Sequence, residues 1–263
     1  MQIITSKDNP KFKAVRALIR SKKDRQAASA FVMEGVRALS AWADGSALPQ
    51  YRLKEIWVSR DTEALAKNFS VPVYAVEHAL MEQLSDCCTS QGILGVVGCL
   101  PEPFSINEEK GNYLLLDHLA DPGNMGTLIR SAVAFGFDGI FLHGDTVEVF
   151  NPKTVRATMG ALPFCRIREA GDEIFEALEA AGYDLISTAI RGGENINQTK
   201  FTGKNVLIIG SEAHGVSDAV QRRATRKLSI PMSGNVESLN AAVAGSICMC
   251  YIGTPRLAEY FRH

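Results

Sequence analysis

The sequence predicts an α/β protein whose larger part is built on a mostly parallel sheet. Three observations carry that fold class. From residue 113 onward, short apolar runs alternate with helical patterns, the order that produces parallel strands with covering helices. Tyr113 to Asp117 is an apolar run of the kind a strand buried on both faces requires. Turns carrying glycine at 117–126, 210–216 and 231–239 fall at strand-to-helix junctions. In such sheets ligands bind beyond the carboxyl ends of the strands, so these three turns are where a site belongs.

The elements follow in chain order. Asn9 can cap a helix that has Pro10 at its first position. Phe12, Val15, Leu18 and Ile19 then recur at helical spacing, and Lys13, Arg16 and Arg20 fall on another face. Phe31 to Trp42 reads as a second helix or as a strand passing into a helix. Residues 55–59 and 71–76 read as short strands, 78–85 as a short helix and 92–99 as a buried strand. The polar stretch 101–112, with Pro101 and Pro103, reads as a linker. It separates a domain at 1–100 from one at 113–263, both of ordinary size. Beyond it, strands are expected at 113–117, 139–143, 183–190, 206–210 and 228–231. Helices are expected at 124–135, 152–159, 172–181, 217–224 and 238–251.

Of 263 residues, 46% are hydrophobic and 22% charged, which supports a sizeable core and excludes a disordered or low-complexity chain. No stretch approaches the roughly 20 apolar residues of a membrane span. The basic start lacks the apolar region of a signal peptide. The expectation is a cytoplasmic protein with no membrane partner. Cys87, Cys88, Cys99, Cys165, Cys248 and Cys250 form no C-x-x-C pair, so reduced, mostly buried thiols and no metal are expected. Net charge is −1, yet residues 1–25 carry +6 and the remainder −7. On charge alone, a polyanion contact and a solvated helix face are equally good readings of that arm.

Several chemistries drop out. Gly210 and Gly215 have the phosphate-loop interval but lack the Lys and Ser/Thr that should follow. No G-x-G-x-x-G follows a strand, and no Ser sits in a G-x-S-x-G elbow. The first glycine-bearing turn opens a helix with Asn124 where a cap would stand. The same helix carries Arg130 among Leu128, Ile129, Ala132, Val133 and Phe135, which suits a surface ion pair or a pocket-facing role equally.

At these turns the sequence resembles a known family. Asp121-Pro-Gly-Asn124-Met-Gly126-Thr-Leu-Ile-Arg130-Ser-Ala resembles the first motif of the SpoU (TrmH-type) RNA ribose methyltransferases of the SPOUT superfamily. Leu207-Ile-Ile-Gly210-Ser-Glu212-Ala-His-Gly215 resembles their second motif, and Ile230-Pro-Met-Ser-Gly-Asn-Val-Glu-Ser238-Leu-Asn240-Ala their third. Asn151-Pro-Lys-Thr-Val-Arg156-Ala-Thr-Met-Gly160 is similar to the intervening segment. Three motifs in order cover about 111–253. Residues 1–98, through Ile4-Thr-Ser-Lys-Asp-Asn9-Pro, Phe31-Val-Met-Glu34-Gly35 and Gln91-Gly-Ile-Leu, resemble the substrate-binding domain of the ribosomal-RNA members, an α/β domain like a small RNA-binding ribosomal protein.

The resemblance implies a C-terminal α/β trefoil knot, a homodimer, and S-adenosylmethionine-dependent 2′-O-methylation of an RNA ribose. 23S ribosomal RNA is the first candidate substrate. Transfer RNA, or a non-catalytic RNA-binding role in ribosome assembly, are the alternatives. By motif match, Gly210, Ile230 and Leu239 hold the adenine and ribose of the cofactor, with Thr188, Ile209 and Met232 as further walls. Arg130, Asn124, Glu212, Ser238 and Asn240 match the catalytic positions. Arg130 would act as the base or, equally, as a clamp on phosphate and forming alkoxide; a guanidinium keeps its proton, which counts against the base. Glu212 would partner Arg130 or a backbone amine. Ser238 and Asn240 also suit the capping of the last helix. Lys11, Lys13, Arg16 and Arg20 would contact RNA phosphates.

Overall fold

The computed structural model describes residues 1–85, 89–100, 104–190 and 192–257. Cys87, Cys88 and the first three positions of the expected linker lie outside the described residues. The chain forms two compact units, Met1–Glu102 with Glu148–Phe164, and Pro103–Val147 with Cys165–His263. The segment 148–164, assigned above to the C-terminal domain, packs in the first unit.

The first unit opens with β1 (Gln2–Ile4) and α1 (Pro10–Arg20). Asn9 Oδ1 accepts the Lys11 N–H at 2.9 Å, with Pro10 at the first helical position. Phe12, Val15 and Leu18 are buried against Trp57, Tyr74, Met81 and Leu94. Helix α2 (Lys22–Ala28) was not anticipated, because KKDRQAA has no apolar period. It is started by Ser21, whose Oγ accepts the Asp24 N–H at 3.2 Å. Arg25 of α2 is buried: Nε and Nη2 donate to Glu148 at 2.7 and 2.6 Å, and Nη1 donates to Leu18 O at 2.8 Å. One cation of the basic arm is therefore internal. Residues 31–42 resolve into β2 (Ala30–Glu34) and α3 (Val36–Ala43). Then come β3 (Tyr51–Ser59), which starts earlier than expected, β4 (Val73–Val76), α4 (His78–Leu84) and β5 (Ile93–Cys99). The sheet order is β1-β4-β3-β5-β2, parallel from β1 to β3 and antiparallel at both edges of β5. A short helix at Pro152–Ala157 belongs to this unit, and Phe150 just before it stacks on Phe31 at 4.5 Å.

The second unit begins with β6 (Gly111–Asp117), α5 (Pro122–Ala134) and β7 (Gly139–His143). The Pro152–Ala157 helix, α6, follows in chain order. Then come β8 (Ile167–Glu169), α7 (Glu173–Ala180), β9 (Asp184–Thr188), β10 (Glu194–Asn195), β11 (Lys204–Ile209), α8 (Asp218–Arg223), β12 (Arg226–Ser229) and α9 (Ala241–Leu257). The order is β10-β12-β9-β11-β6-β7-β8, and every pairing is parallel. β8 and β10 are edge strands of three and two residues, too short to leave an alternation.

β6 and β11 are adjacent and buried, in a register that pairs Leu207 with Leu114 and Ile209 with Leu116. That register sets Asp117 and Gly210 at the same end of the sheet. Between the two strands, Asn205 Nδ2 donates to Asn112 Oδ1 at 2.8 Å, fully buried. Helix α9 packs on α5, and Gly245 permits the approach, since a Cβ there would collide with Leu128 Cδ2. Ser131 and Ser246 join the two helices through their hydroxyls at 2.7 Å. Burial pushes the Cys165 and Cys248 thiols up to about 12 and Cys99 up to about 11, so none is a ready nucleophile. No helix among the described residues is long and apolar enough to cross a membrane.

Candidate active site

The site grows from the end of β11. Gly210 follows the strand, and the chain then turns back on itself: Ser211 N donates to Gly215 O at 3.0 Å and Gly215 N to Ser211 O at 2.8 Å. Position 210 lies directly under the returning chain. A Cβ there would overlap the Gly215 carbonyl and the Val216 amide nitrogen, so only glycine fits. Beside this loop lies a cleft of about 510 Å³, within the roughly 300–1,000 Å³ of small-molecule sites. Thr188, Ile209, Gly210, Ile230, Met232 and Leu239 all line it. So do Glu212, Ser238 and Asn240. His214, given no role from sequence, lines it too, as does Leu228.

One chain of side chains ties the three turns. Asn124 Nδ2 donates to Glu212 Oε1 at 2.6 Å, and Asn240 Nδ2 donates to Asn124 Oδ1 at 3.0 Å. Asn240 Oδ1 in turn accepts the N–H groups of Ala242 and Val243 at 2.9 and 3.2 Å, which fixes which way both amides face. Three expectations need correcting. The cap of α5 is Asp121, whose Oδ1 accepts the Asn124 N–H at 2.7 Å, so Asn124 is the third helical residue and its side chain is freed for Glu212. Helix α9 begins at Ala241 and is capped by Asn240, not Ser238. Glu212 is engaged by the Asn124 amide rather than by Arg130 or a backbone amine.

Arg130 lies nearly two turns further along α5. It is exposed, lines no part of the cleft, and has no hydrogen-bond or ion-pair partner among the described residues. Of the four candidate RNA-binding cations in the first unit, Lys11 donates to the Tyr74 hydroxyl and lies 4.4 Å over its ring. Lys13 pairs with Asp8 at 2.9 Å. Arg16 is half-buried, its Nε without a partner among the described residues, and Arg20 is exposed.

A second network was missed. Asp117, at the end of β6, is wholly buried; its Oδ2 accepts the Ser217 N–H at 2.7 Å and its Oδ1 meets His143 Nδ1 at 2.9 Å. His143 Nε2 meets Asp172 Oδ1 at 3.1 Å. Desolvation pulls the imidazole down, but the bonds and charges of Asp117 and Asp172 outweigh it and hold His143 above its usual range. The network clamps the chain just where it leaves the Gly210–Gly215 turn. The signal was an acid closing an otherwise apolar run. His118 also comes near Asp117. Its Nδ1 accepts the Asp145 N–H at 3.2 Å.

A parallel α/β sheet with a ligand-sized cleft beyond β9, β11 and β12, apolar on its walls and edged by the Glu212 carboxylate and the Asn240 amide, defines a cofactor-binding α/β enzyme. Residues 111–250 match the SpoU rRNA Methylase family and residues 9–95 match the MRM3-like substrate binding domain. The chain belongs to the SpoU rRNA methylase family. It is 29% identical over 256 residues to 23S rRNA (guanosine(2553)-2′-O)-methyltransferase RlmP of Bacillus subtilis (strain 168), covering 96% of this chain and 99% of that one. It is 30% identical over 273 residues to a 23S rRNA (uridine(2479)-2′-O)-methyltransferase of Streptomyces viridochromogenes, covering 92% and 88%. An AdoMet-bound rRNA methyltransferase from Sinorhizobium meliloti matches with a TM-score of 0.84 at 29% identity, covering 95% and 97%.

Proposed function

We propose that this protein transfers a methyl group from S-adenosylmethionine to a ribose 2′-hydroxyl of 23S ribosomal RNA. The observation that carries the reading is the convergence of Gly210, Ile230 and Leu239 on one cleft whose edge bears Glu212 and Asn240. The residues fit the cofactor: Ile209, Ile230, Leu239 and Met232 offer apolar walls to an aromatic ring, with Thr188 at the end of β9. When bound, S-adenosylmethionine supplies an electrophilic methyl group on a sulfonium.

Gly210 lets the backbone come close enough to read the adenine edge. Asn124 holds Glu212 and Asn240 in a fixed arrangement, which leaves Ser238 and Asn240 to order the third turn. Arg130, exposed and without a partner among the described residues, grips the target phosphate with its fork and stabilises the forming alkoxide. Lys11, Lys13, Arg16 and Arg20 add sequence-independent phosphate contacts. The apolar exposure of Val243 and Tyr251 along α9 supports a homodimer, and the strand order, with β11 between β9 and β6, supports a trefoil knot. The protein acts in the cytoplasm, where its RNA is.

Mapping ribose methylation across total RNA of a deletion strain tests the reading. One 23S mark should vanish, return with the wild-type gene, and not return with Arg130→Ala. A strain that keeps every mark overturns it, and loss of a transfer-RNA mark instead moves the substrate. Arg130→Lys should keep a measurable fraction of the rate if the charge acts as a clamp.

A further inference from the structure

Three stretches that stand out in the sequence, and that methyl transfer leaves without a role, meet in the first unit. Glu34 and Gly35 at the β2–α3 junction, Gln91 ahead of β5, and Pro152 to Gly160 together line a cavity of about 210 Å³. Val32, Leu84 and Val155 make its walls apolar. Its polar groups are few and distinct. The Glu34 carboxylate is held by the hydroxyls of Ser85 and Ser90 at 2.7 and 2.8 Å, which orients it as an acceptor. Gln91 Oε1 accepts the Val36 N–H at 3.3 Å, so its Nε2 hydrogens are what the amide has left to donate.

Two guanidinium side chains, Arg37 and Arg156, also line the cavity. Arg37 is exposed and without a side-chain partner among the described residues. Met159, on the rim, has φ of 51° and is 52% exposed. A left-handed backbone at a long side chain is strained, and strain of this kind persists where the surroundings enforce it, often at ligand sites. Ile19 of α1 completes the wall, and Arg16 stands one turn earlier on that helix.

We propose that this cavity receives one unstacked nucleotide of the RNA substrate, the base between Val32, Leu84 and Val155 and its phosphate at Arg37 and Arg156. A slot with apolar walls, one carboxylate acceptor and one amide donor matches a heterocycle that presents both kinds of group on its edge. Single-stranded RNA recognition uses splayed bases against apolar or guanidinium planes, with cations on the backbone. The +6 charge of residues 1–25 in the same unit favours a polyanion over an apolar peptide side chain. The inference rests on the RNA substrate argued above, but the cavity shares no lining residue with the cleft of the second unit.

The test is a ¹³C-methyl NMR titration of the full chain with each of the four nucleoside 5′-monophosphates, with inorganic phosphate, and with a short leucine-rich peptide, to on the order of 10 mM. At least one monophosphate should shift the Met159 and Val155 methyls, phosphate alone should not, and saturating S-adenosylmethionine should leave the response intact. No shift with any monophosphate, an equal shift with phosphate, or a shift only with the peptide overturns the proposal. On ribosomal RNA lacking the mark, Arg37→Ala should raise KM about tenfold with kcat little changed, and Arg37→Lys should recover part of that loss. An unchanged KM also overturns it. A protein that methylates no RNA yet still shows the Met159 and Val155 shifts would defeat the methyltransferase reading and leave the pocket standing.

Discussion

Asn124 and Glu212, 88 residues apart, are joined by a 2.6 Å hydrogen bond from amide Nδ2 to carboxylate Oε1. The same Asn124 accepts from Asn240 on its other atom. Only a side chain with one donor and one acceptor at its tip can do both. Asn124→Asp sets two carboxylates face to face and should lower kcat/KM about 100-fold, while Asn124→Ala should lower it about tenfold. Methyl-transfer kinetics check this, with circular dichroism unchanged for both variants. Equal activity of Asn124→Asp and wild type would show that the bond has no part in catalysis.

Gly210→Ala should cost far more than an alanine usually does. The added methyl has backbone, not a movable side chain, on its path. The turn must open, at a cost of about 1–3 kcal/mol, and the cleft opens with it. Calorimetry should find S-adenosylmethionine affinity down at least about tenfold, alongside a fall of several degrees in Tm.

His143 gives stability a pH dependence whose sign follows from its raised folded value. Its contribution is fully present below the ordinary histidine range, about 6.5, and is lost as pH rises through the folded value. The Tm gap between wild type and His143→Gln should be widest, about 3–6 °C, near pH 6, and should narrow toward pH 9. Scanning calorimetry across that range decides; a gap that widens with pH contradicts the two-carboxylate clamp.

Arg25 and Glu148 form a two-pronged ion pair with side chains only 6% and 13% exposed. Arg25→Ala strands a buried carboxylate and should cost about 3–5 kcal/mol. The double replacement Arg25→Met with Glu148→Leu should recover most of it. Both tryptophans, Trp42 and Trp57, lie in the first unit, so fluorescence-monitored denaturation isolates the effect.

Elements with a strong period were legible. Helix α1 announced itself through Asn9, Pro10 and the Phe12-Val15-Leu18 stripe, and β6 through its apolar run. What escaped had no local signature: α2 is nearly all charged or small, and β8 and β10 are edge strands. The cleft residues came from the resemblance of the motifs at these turns to a known family, not from periodicity. The Asn124–Glu212 bond was not legible, because it depends on β11 lying beside β6, and strand order is not written in periodicity. The burial of Arg25 was hidden for the same reason, its partner being 123 residues away.

The amide pair of Asn112 and Asn205 has a consequence for biosynthesis. β11 sits between β6 and β9 but is made after both, so a nascent chain that has reached only β10 holds an uncovered strand edge, a ready template for wrong partners. When β11 arrives, its apolar run at 206–209 is buried on both faces and does not itself select a register, whereas a slip of one residue would leave both amides without a mate. The two asparagines thus act as a proofreading mark on the last central strand, accepting a single alignment and rejecting its neighbours.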